Sequence, residues 1–568
     1  MSNIVDFDDY FNKSLDIRNF NAPKNIIAIG QINPISGDFQ YNAEKICRYI
    51  KLAISLGIKT IIFPSNSLGG HFIEDIIKRH PQVENECKKW LNGIAEISEG
   101  ITVILGYINN NIAVIRDKEL KEIYTEAKDF CITDDKITGS KIVINFALTE
   151  SKGANILDTH DKLSCAAKEN SLPVIYVNSV GATDNISYIG SSAVFDNNGE
   201  LIYRAKAFEE QFCVIDTEKK GILHRLPVNR KNSEKFSLDY EYDLERTYLT
   251  VKQGIKDYFA KCGLKRAVLG LSGGLDSTVC AVLLADALGK ENVCGISMPS
   301  EITSRESKSD AKQLAENLGI TFKEAPIKQM VDVTSECFGD LFKKLENSFG
   351  GRYEVSYTRD NIQARLRAMY LYGVSNEFAS CIPIATSDKS EAYMGYATIN
   401  GDMSGGFAPI ADITKTKLFA LARWLNKNRE QKDVIPVSVI NKRPGAELAI
   451  DPKTGKPLCA EDALMPYEFL DEIIWRVENY GESYYEMLNS EFLYEKNNSV
   501  PAEEKRNWLD KFFRRMSSAL YKWTILPPSI IVEQNGINSS EYNQPVTSGR
   551  INYKSTVQDE INLFCKEI

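Results

Sequence analysis

The residues best suited to chemistry in this chain form a glycine-rich run, Gly270-Leu271-Ser272-Gly273-Gly274-Leu275-Asp276-Ser277-Thr278. Its two adjacent glycines allow anionic oxygens to approach the backbone, and its three hydroxyls can donate hydrogen bonds to those oxygens. Asp276 would repel a phosphate group unless a cation lay between them, and Mg²⁺ is a cation that binds carboxylates and phosphates together. The run therefore predicts a phosphate-binding turn that contains a metal ligand.

A predicted strand and a predicted helix flank this run. The apolar residues 266–269 have the pattern of a buried parallel strand, and apolar residues at helical spacing over 278–288 predict a helix that ends at Gly289. The N–H groups at the start of such a helix favour an anion. A purely structural turn capped by Ser and Asp is the alternative, but such a turn needs neither paired glycines nor three hydroxyls. Strands and helices continue to alternate, which predicts a doubly wound parallel sheet with its site at the strands' carboxyl ends.

The run resembles the S-G-G-x-D-S loop of the ATP pyrophosphatases, which split ATP into AMP and pyrophosphate to activate a carbonyl or carboxylate. Further clusters follow it at 361–367, 386–391 and 401–416. Asn361 and Arg365 are spaced i, i+4 and therefore share one helical face. Over 241–568 this order of motifs is similar to NAD synthetase, an amide-forming ligase. That resemblance implies that ATP and Mg²⁺ adenylate deamido-NAD and that ammonia then displaces AMP.

The resemblance also implies roles for the matching residues. Asp276 and Lys415 would be catalytic, and Asp276 and Glu391 would be the Mg²⁺ ligands. The ATP-binding set would be Gly270, Leu271, Ser272, Gly273, Gly274, Leu275, Asp276, Ser277, Thr386 and Lys415. The set facing deamido-NAD would be Asn361, Arg365, Glu391, Asp402 and Lys522. Three positions depart from the family pattern: Gly445 stands where Ser or Thr is usual, Trp523 stands where Arg is usual, and Glu301 stands where a basic residue is common.

The first half of the chain predicts an α/β sandwich, because strands, helices and hairpins alternate from residue 25 onward. Residues 25–225 resemble the carbon–nitrogen hydrolase (nitrilase-like) domain, most clearly at 172–181. The two resemblances together divide the chain into an extension at 1–24, the nitrilase-like domain at 25–225, a linker at 226–240 and the NAD synthetase domain at 241–568.

Active nitrilase-like domains use a Cys nucleophile, a Glu base and a Lys, and this sequence matches none of the three. Ser65 follows Phe63-Pro64 where the Glu belongs, and a serine cannot serve as the base for a thiol. Lys128 and Cys131 are unmatched candidates, while Cys165 lies within a predicted helix, where a core position is expected. We therefore expect the glutaminase of this domain to be degenerate and inactive.

Composition and charge restrict the classes of protein to which this chain can belong. At 568 residues the chain is too long for one hydrophobic core, and its net charge of −9 argues against a nucleic-acid-binding protein. No apolar run approaches the roughly twenty residues of a membrane span. The acidic N-terminus lacks a signal-peptide core, which predicts a cytoplasmic protein. All four histidines precede the glycine-rich run, so we expect the second half to use none of them.

These observations predict a homo-oligomeric NAD synthetase that uses free ammonia. One alternative is a glutamine-hydrolysing synthetase with a triad rearranged around Cys131 and Lys128. Another is a different ATP pyrophosphatase such as a tRNA thiolase, although neither paired cysteines nor a basic surface is visible. The third is a non-catalytic nucleotide-binding regulator, which Gly445 and Trp523 allow but the intact set of acids and Lys415 disfavours.

Overall fold

The structure is a computed structural model that describes residues 26–124, 130–133, 142–146, 148–153, 155–216, 222–224, 240–349, 357–445 and 459–536. The chain folds as two compact units, residues 1–238 and 239–568. Within the described residues, no helix is both long enough and apolar enough to cross a membrane.

The described elements of the first unit alternate between strands and helices. The strands are β1 (Ile26–Gln31), β2 (Thr60–Ile62), β3 (Thr102–Gly106), β4 (Ile112–Arg116), β5 (Glu119–Tyr124), β6 (Phe130–Thr133), β7 (Ile142–Asn145), β8 (Val174–Tyr176), β9 (Val180–Thr183), β10 (Ile186–Ile189), β11 (Ala193–Phe195), β12 (Leu201–Arg204), β13 (Gln211–Asp216) and β14 (Ile222–His224). The helices are α1 (Phe39–Ser55), α2 (Glu74–Arg79), α3 (Gln82–Glu96) and α4 (Asn155–Asn170).

Two sheets of this unit pack face to face, and helices cover their outer faces. The larger sheet has the order β14-β13-β1-β2-β3-β4-β5, the smaller has the order β12-β11-β8-β7-β6, and β9 and β10 form a separate pair. Strand β1 shows the layering, because successive side chains point to opposite faces. Ile26 and Ala28 pack with α1 and α3, whereas Ile27 and Ile29 pack against Ile144 of the smaller sheet. The resulting four-layer α/β sandwich confirms the predicted fold class.

The second unit combines a small sheet with many helices. Its strands are β15 (Arg266–Gly270), β16 (Val293–Ser297), β17 (Thr321–Glu324) and β18 (Cys381–Pro383). Its helices, in the described residues, are α5 (Tyr240–Lys261), α6 (Leu275–Leu288), α7 (Arg305–Leu318), α8 (Lys328–Phe349), α9 (Thr358–Glu377), α10 (Lys389–Met394), α11 (Lys415–Asn428), α12 (Val437–Asn441), α13 (Ala460–Ala463), α14 (Tyr467–Tyr480), α15 (Tyr484–Asn489), α16 (Leu493–Asn497) and α17 (Ala502–Trp523).

The sheet of this unit is parallel, with strand order β17-β16-β15-β18. Helices α8 and α9 pack on one face of the sheet. Val331 of α8 and Ile362 of α9 share one apolar cluster with Val268 and Ile296 of the strands. Helix α6 follows β15 and packs on β15 and β16, while α5 and α11 pack on α6. This arrangement confirms the predicted doubly wound sheet and places the turn after β15 at the strands' carboxyl end.

A helical layer completes the second unit. Residues of α10, α14 and α17, including Tyr393, Leu470 and Phe512, share one buried apolar cluster. Neither this layer nor helix α8 was predicted from the sequence. The helix after the glycine-rich run was predicted to start at Thr278, whereas α6 begins at Leu275, because Gly274 has an extended backbone and acts as the N-cap. The earlier start puts Asp276 in the helix's first turn.

Candidate active site

The turn between β15 and α6 has a shape that requires glycine. Gly273 has φ +78°, and a Cβ built there would lie only 2.1 Å from the carbonyl oxygen of Ser307. Any larger residue would therefore be strained in conformation and would displace backbone. Gly274 caps α6 without a side-chain hydrogen bond, so the helix start presents its N–H groups as an anion-binding end.

Two serine hydroxyls stabilise the turn from within. The Ser272 hydroxyl accepts a hydrogen bond from the Gly274 N–H at 3.1 Å and lies 3.0 Å from the Ser277 hydroxyl. The Ser277 hydroxyl can also donate to the Gly274 carbonyl at 3.3 Å. Ser277 is buried and lies outside the cavity lining. Its hydroxyl therefore stabilises the turn in this structure, and its predicted contact with ATP stays a prediction.

A cavity of about 240 Å³ opens beside this turn. It collects most of the predicted site residues from separate parts of the chain, which are Gly270, Leu271, Ser272, Gly274, Leu275, Asp276, Thr386, Glu391, Asp402 and Lys415. Like Ser277, Gly273 lies outside the lining. One cavity therefore holds the glycine-rich turn and residues from all three later clusters, including Arg367, Thr386 and Lys415.

The centre of the cavity wall is an ammonium group surrounded by carboxylates. Lys415 is 1% exposed, and its Nζ lies 2.7 Å from Asp276 Oδ1, 2.9 Å from Asp388 Oδ2 and 3.1 Å from Glu391 Oε1. The ring of Tyr467 lies against the same ammonium, with its centroid 5.5 Å from Nζ. Three carboxylates thus share one buried cation, an arrangement that favours binding of further positive charge.

The pKa values of this cluster reflect burial and mutual charge. Burial alone would lower the pKa of Lys415, but Asp276, Asp388 and Glu391 overcome that effect and raise it well above its usual value. Burial raises the pKa of Asp388 to about 6 and raises that of Glu391 well above its usual value, with Lys415 opposing both shifts. The lysine therefore stays charged at neutral pH, and burial makes the neutral forms of Asp388 and Glu391 more favourable than they are in water.

Helix starts hold the cluster in place. Asp388 caps α10 by accepting the Glu391 N–H at 2.9 Å. Ser390 accepts the Lys415 N–H at 2.9 Å, and its hydroxyl donates to the buried carboxylate of Asp471. The other oxygen of Asp471 accepts the N–H of residue 416 at 2.7 Å. These contacts join α10, α11 and α14 and fix the backbone from which Lys415 extends.

The remaining predicted substrate residues surround the segment 395–402. The Thr398 hydroxyl donates to Asn361 Oδ1 at 2.8 Å, and Arg365 Nε donates to the carbonyl of residue 399 at 3.1 Å, so both α9 residues reach one segment. Lys522 Nζ donates to the carbonyls of residues 395 and 397 at 2.7 and 2.6 Å. None of these three lines the cavity. They form the wall behind Asp402, which lies in it.

Several residues in or beside the lining were not predicted as site residues. Asp388 binds Lys415 from outside the lining, and it lies two positions after Thr386, inside a cluster already noted, so its proximity was a usable signal. Lys442 and Arg443 also line the cavity, immediately before Gly445. Tyr467 gave no signal in the sequence, because nothing distinguishes it from the other aromatic residues around it.

Two of the departures from the family pattern, Gly445 and Trp523, differ in their surroundings. Gly445 lies in the cavity lining and offers no hydroxyl there. Trp523 instead supports the fold: its indole N–H donates to the carbonyl of Ala392 at 3.0 Å, and its ring packs edge-on against Tyr393 at 4.8 Å. The tryptophan therefore stabilises the end of α10, which lies three residues after Glu391.

In the first unit, the position expected for a base holds a neutral network. Ser65 is buried, and its hydroxyl donates to Asn110 Oδ1 at 3.1 Å, while the side-chain amide of Asn66 donates to the same oxygen at 2.9 Å. Cys165 is exposed on α4, so its predicted core position was wrong; it falls on the solvent side of that amphipathic helix. Lys128 and the side chain of Cys131 lie outside the described residues.

Comparisons with known proteins agree with both halves of this description. A family model for NAD synthase matches residues 247–507, and one for carbon-nitrogen hydrolase matches residues 139–221. The glutamine-dependent NAD(+) synthetase of Thermotoga maritima is 31% identical over 524 residues, which cover 79% of this chain and 88% of that protein. The protein of the same name from Aquifex aeolicus is 32% identical over 522 residues, with coverage of 79% and 88%.

Solved structures show the same fold. The glutamine-dependent NAD(+) synthetase of Cytophaga hutchinsonii has a TM-score of 0.74 at 19% identity, covering 94% of this chain and 99% of that chain. The corresponding enzyme of Acinetobacter baumannii, in complex with ADP, has a TM-score of 0.64 at 24% identity, covering 92% and 99%.

The fold and the cavity together define a nitrilase-like sandwich joined to a nucleotide-binding ligase domain of the ATP pyrophosphatase type. The identity to the bacterial relatives extends over most of the chain and includes both units. The chain belongs to the two-domain NAD synthetase family, whose members are amide-forming ligases.

Proposed function

We propose that this chain makes NAD from deamido-NAD in two steps, with free ammonia as the nitrogen donor. In the first step the nicotinate carboxylate attacks the α-phosphorus of ATP, and pyrophosphate leaves. In the second step ammonia attacks the acyl carbon of the adenylate, and AMP leaves. The observation that carries this proposal is the convergence of Lys415, the carboxylates of Asp276 and Glu391, and the anion-binding start of α6 on one cavity.

ATP is proposed to bind along the turn and the opposite wall of the cavity. The N–H groups at residues 274–276, the Thr386 hydroxyl and the Lys415 ammonium would contact its phosphates. Departing pyrophosphate concentrates negative charge, and preorganised donors in a water-poor site stabilise such charge. Ser272, which lines the cavity, would contribute its hydroxyl directly, whereas Ser277 and Gly273 would act through the shape of the turn.

Magnesium fits the donors that are present. Asp276 and Glu391 both line the cavity, with side chains 26% and 18% exposed, and both already bind one cationic group. No group of three or more His, Cys, Asp or Glu side chains within the described residues is arranged to hold a metal ion. Mg²⁺ commonly takes one or two carboxylates and completes its shell with phosphates and water. Asp276 and Glu391 would hold the ion, which when bound would neutralise phosphate charge.

Deamido-NAD is proposed to lie against the segment 395–402. Asp402 lines the cavity there, and Asn361, Arg365 and Lys522 support the segment from behind. Asp402 is exposed and Lys522 is partly exposed, so both side chains are accessible to a bound substrate. A substrate that covers them would exclude water there and protect the acyl-adenylate from hydrolysis until ammonia arrives.

Two observations in the first unit support ammonia as the donor. A buried serine in a hydrogen-bonded amide network stands where the family places its glutamate base. The carbon-nitrogen hydrolase match covers only residues 139–221, beyond Ser65, Lys128 and Cys131. Without an ionisable base at that position, a thiol nucleophile would lack the group that takes its proton in active members of the family.

The second candidate is glutamine-dependent synthesis with a rearranged triad. The names of the relatives favour it, because the proteins from Thermotoga maritima and Aquifex aeolicus are both called glutamine-dependent. In that case Cys131 would be the nucleophile and Lys128 its cationic neighbour. The two candidates share the chemistry of the second unit and differ only in the source of nitrogen.

Adenylation is tested by AMP release. Full-length protein with ATP, Mg²⁺, ammonium and deamido-NAD is expected to form AMP and NAD in equal amounts, with no AMP when deamido-NAD is omitted. A protein that binds ATP but releases no AMP under these conditions would be a nucleotide-binding regulator, and the proposed function would be wrong.

We also propose a cytoplasmic homo-oligomer whose subunits meet through the outer face of α8. Phe338, Leu341, Phe342 and Leu345 lie along one side of that helix and are 36–44% exposed. An apolar stripe of this kind is usually covered by another surface, and a stripe without charge can pair with its own copy about a twofold axis. Sedimentation of the full-length protein measures whether the chain forms such an oligomer.

A further inference from the structure

Tyr467 combines deep burial with a hydroxyl that makes no hydrogen bond. It is the first residue of α14, its side chain lines the nucleotide cavity, and it is 2% exposed. Among the described residues its hydroxyl has no hydrogen-bond partner. The hydroxyls of two other tyrosines in the same unit are engaged by protein: Tyr393 donates to Glu478 and Tyr258 donates to the carbonyl of residue 406, each at 2.9 Å. An unpaired buried hydroxyl costs stability, so Tyr467 points to a ligand as its partner.

The surroundings of Tyr467 indicate what that ligand carries. The nearby carboxylates of Asp276, Asp388 and Glu391 are all bound to Lys415, whose ammonium lies 5.5 Å from the tyrosine ring centroid. The same cavity contains the start of α6 and two further cationic side chains, Lys442 and Arg443. Such a set of donors favours anionic oxygen atoms over any other polar group.

The hydroxyl itself is suited to donate. Burial raises the pKa of Tyr467, with Glu391, Asp388 and Asp276 adding to the rise against the opposing effect of Lys415. The group therefore stays protonated at neutral pH. A protonated hydroxyl can donate to a phosphoryl oxygen without adding charge, whereas it would gain little from the purine or ribose hydroxyls, which water solvates equally well.

We propose that the Tyr467 hydroxyl is a substrate-binding group that donates a hydrogen bond to a phosphoryl oxygen of the bound nucleotide. This assignment rests on the proposed function, because both substrates of that reaction carry phosphoryl groups. ATP brings its triphosphate to the cavity beside Lys415, and deamido-NAD brings its bridging pyrophosphate. The shared chemistry is the anionic oxygen, and the two substrates can be separated by experiment.

The test compares Tyr467→Phe with Tyr484→Phe in the full-length protein. Tyr484 belongs to the same buried cluster, but its hydroxyl is hydrogen-bonded to Asp510 and it lies outside the nucleotide cavity. Removing the Tyr467 hydroxyl is expected to raise the KM of one substrate about 10- to 100-fold, the usual worth of a hydrogen bond to a charged group. The melting temperature of the substrate-free Tyr467→Phe variant is expected to stay unchanged or to rise. Tyr484→Phe is expected to lower the melting temperature and to leave both KM values unchanged.

The outcomes assign the ligand. A raised KM for ATP together with a smaller ATP-induced rise in melting temperature assigns the hydroxyl to ATP, and the same pair of effects with deamido-NAD assigns it to the dinucleotide. If neither KM nor either substrate-induced shift changes, the proposal is overturned. A failure of the proposed function gives a different result, because the wild-type protein would then lack deamido-NAD-dependent AMP release altogether.

Discussion

At the scale of single residues, Lys415 links the turn to the rest of the site. Its ammonium is the shared partner of Asp276, Asp388 and Glu391, and these three acids come from α6, from the residue that precedes α10, and from α10 itself. A lysine in this position both offsets the charge of the acids and faces the phosphates that the site is proposed to bind. The two roles lead to a prediction with two separate readouts.

Lys415→Met is expected to reduce kcat for NAD formation by about 100- to 1000-fold, because a preorganised cation facing the departing pyrophosphate is lost. It is also expected to lower the free energy of unfolding by about 3–5 kcal/mol, because the remaining buried acids lose their partner. Steady-state kinetics and urea unfolding measure the two effects.

Lys417→Met is the matched control: Lys417 binds Asp243 and Glu533 outside the cavity, so its loss should lower stability and leave kcat near the wild-type value. Equal kcat values for the two variants would contradict the role given to Lys415.

Most of these residues could be identified from the sequence, because each of them lies in a short motif together with other polar or charged residues. The glycine-rich run, Thr386, Glu391 and Lys415 lie in recognisable clusters, and the fold brings them to one cavity. Tyr467 could not be found in this way, because it reaches the site from a helix that follows the motifs by about fifty positions. Its role depends on tertiary packing, which no short pattern contains.

At the scale of elements, α14 supports the site through residues on one side of the helix. Tyr467 lines the cavity, Asp471 binds the starts of α10 and α11, and Glu478 accepts hydrogen bonds from Lys389 and Tyr393. The first residue of α10, Lys389, is fully buried and is also bound to Asp412 at 2.9 Å. The helix therefore supports both the ammonium cluster and a second buried ion network behind it.

Glu478 should make stability depend on pH. Burial raises its pKa to about 7, with Lys389 opposing the rise and Asp412 adding to it. Because the folded protein binds this proton more tightly than the unfolded chain, the contribution of Glu478 to stability is fully present at low pH and is lost as pH rises from about 4.5 to about 7. The shift corresponds to about 3 kcal/mol.

Glu478→Gln is expected to remove this dependence, since an amide mimics the neutral acid and does not titrate. Urea unfolding at pH 5 and pH 8 measures it: relative to wild type, the variant should gain about 3 kcal/mol between the two pH values. Glu468→Gln, at an exposed position of the same helix, is the control and should follow the wild-type curve. A variant whose stability falls with pH as steeply as that of wild type would contradict the assignment.

The elements themselves were predictable to different degrees. Strand β15 and the parallel sheet follow from short apolar runs between helices, and those expectations hold. The helical layer from α14 to α17 was missed, because its aromatic residues pack on α10 in three dimensions and the segment has no single strong motif. The start of α6 was placed three residues late, because Leu275, Asp276 and Ser277 resemble loop residues until Gly274 is seen to cap the helix.

At the scale of the whole molecule, the two units differ in the groups that they present. The second unit gathers Lys415, Asp276 and Glu391 around one cavity. The first unit has the sandwich of a carbon–nitrogen hydrolase, and Ser65 and Asn110 form a neutral contact at the position predicted for the base. The relatives named in the comparisons are called glutamine-dependent. The source of nitrogen is therefore the property on which this chain is proposed to differ from them.

An isotope competition measures that property directly. Full-length protein is supplied with ATP, Mg²⁺, deamido-NAD, unlabelled ammonium and an equal concentration of glutamine labelled with ¹⁵N in its amide, and the mass of the NAD formed is recorded. If free ammonia is the donor, the NAD formed is unlabelled, and its rate of formation is the same for wild type and for Cys131→Ala. Labelled NAD from the wild-type protein, lost in Cys131→Ala, would contradict free ammonia as the donor and would show that the first unit hydrolyses glutamine.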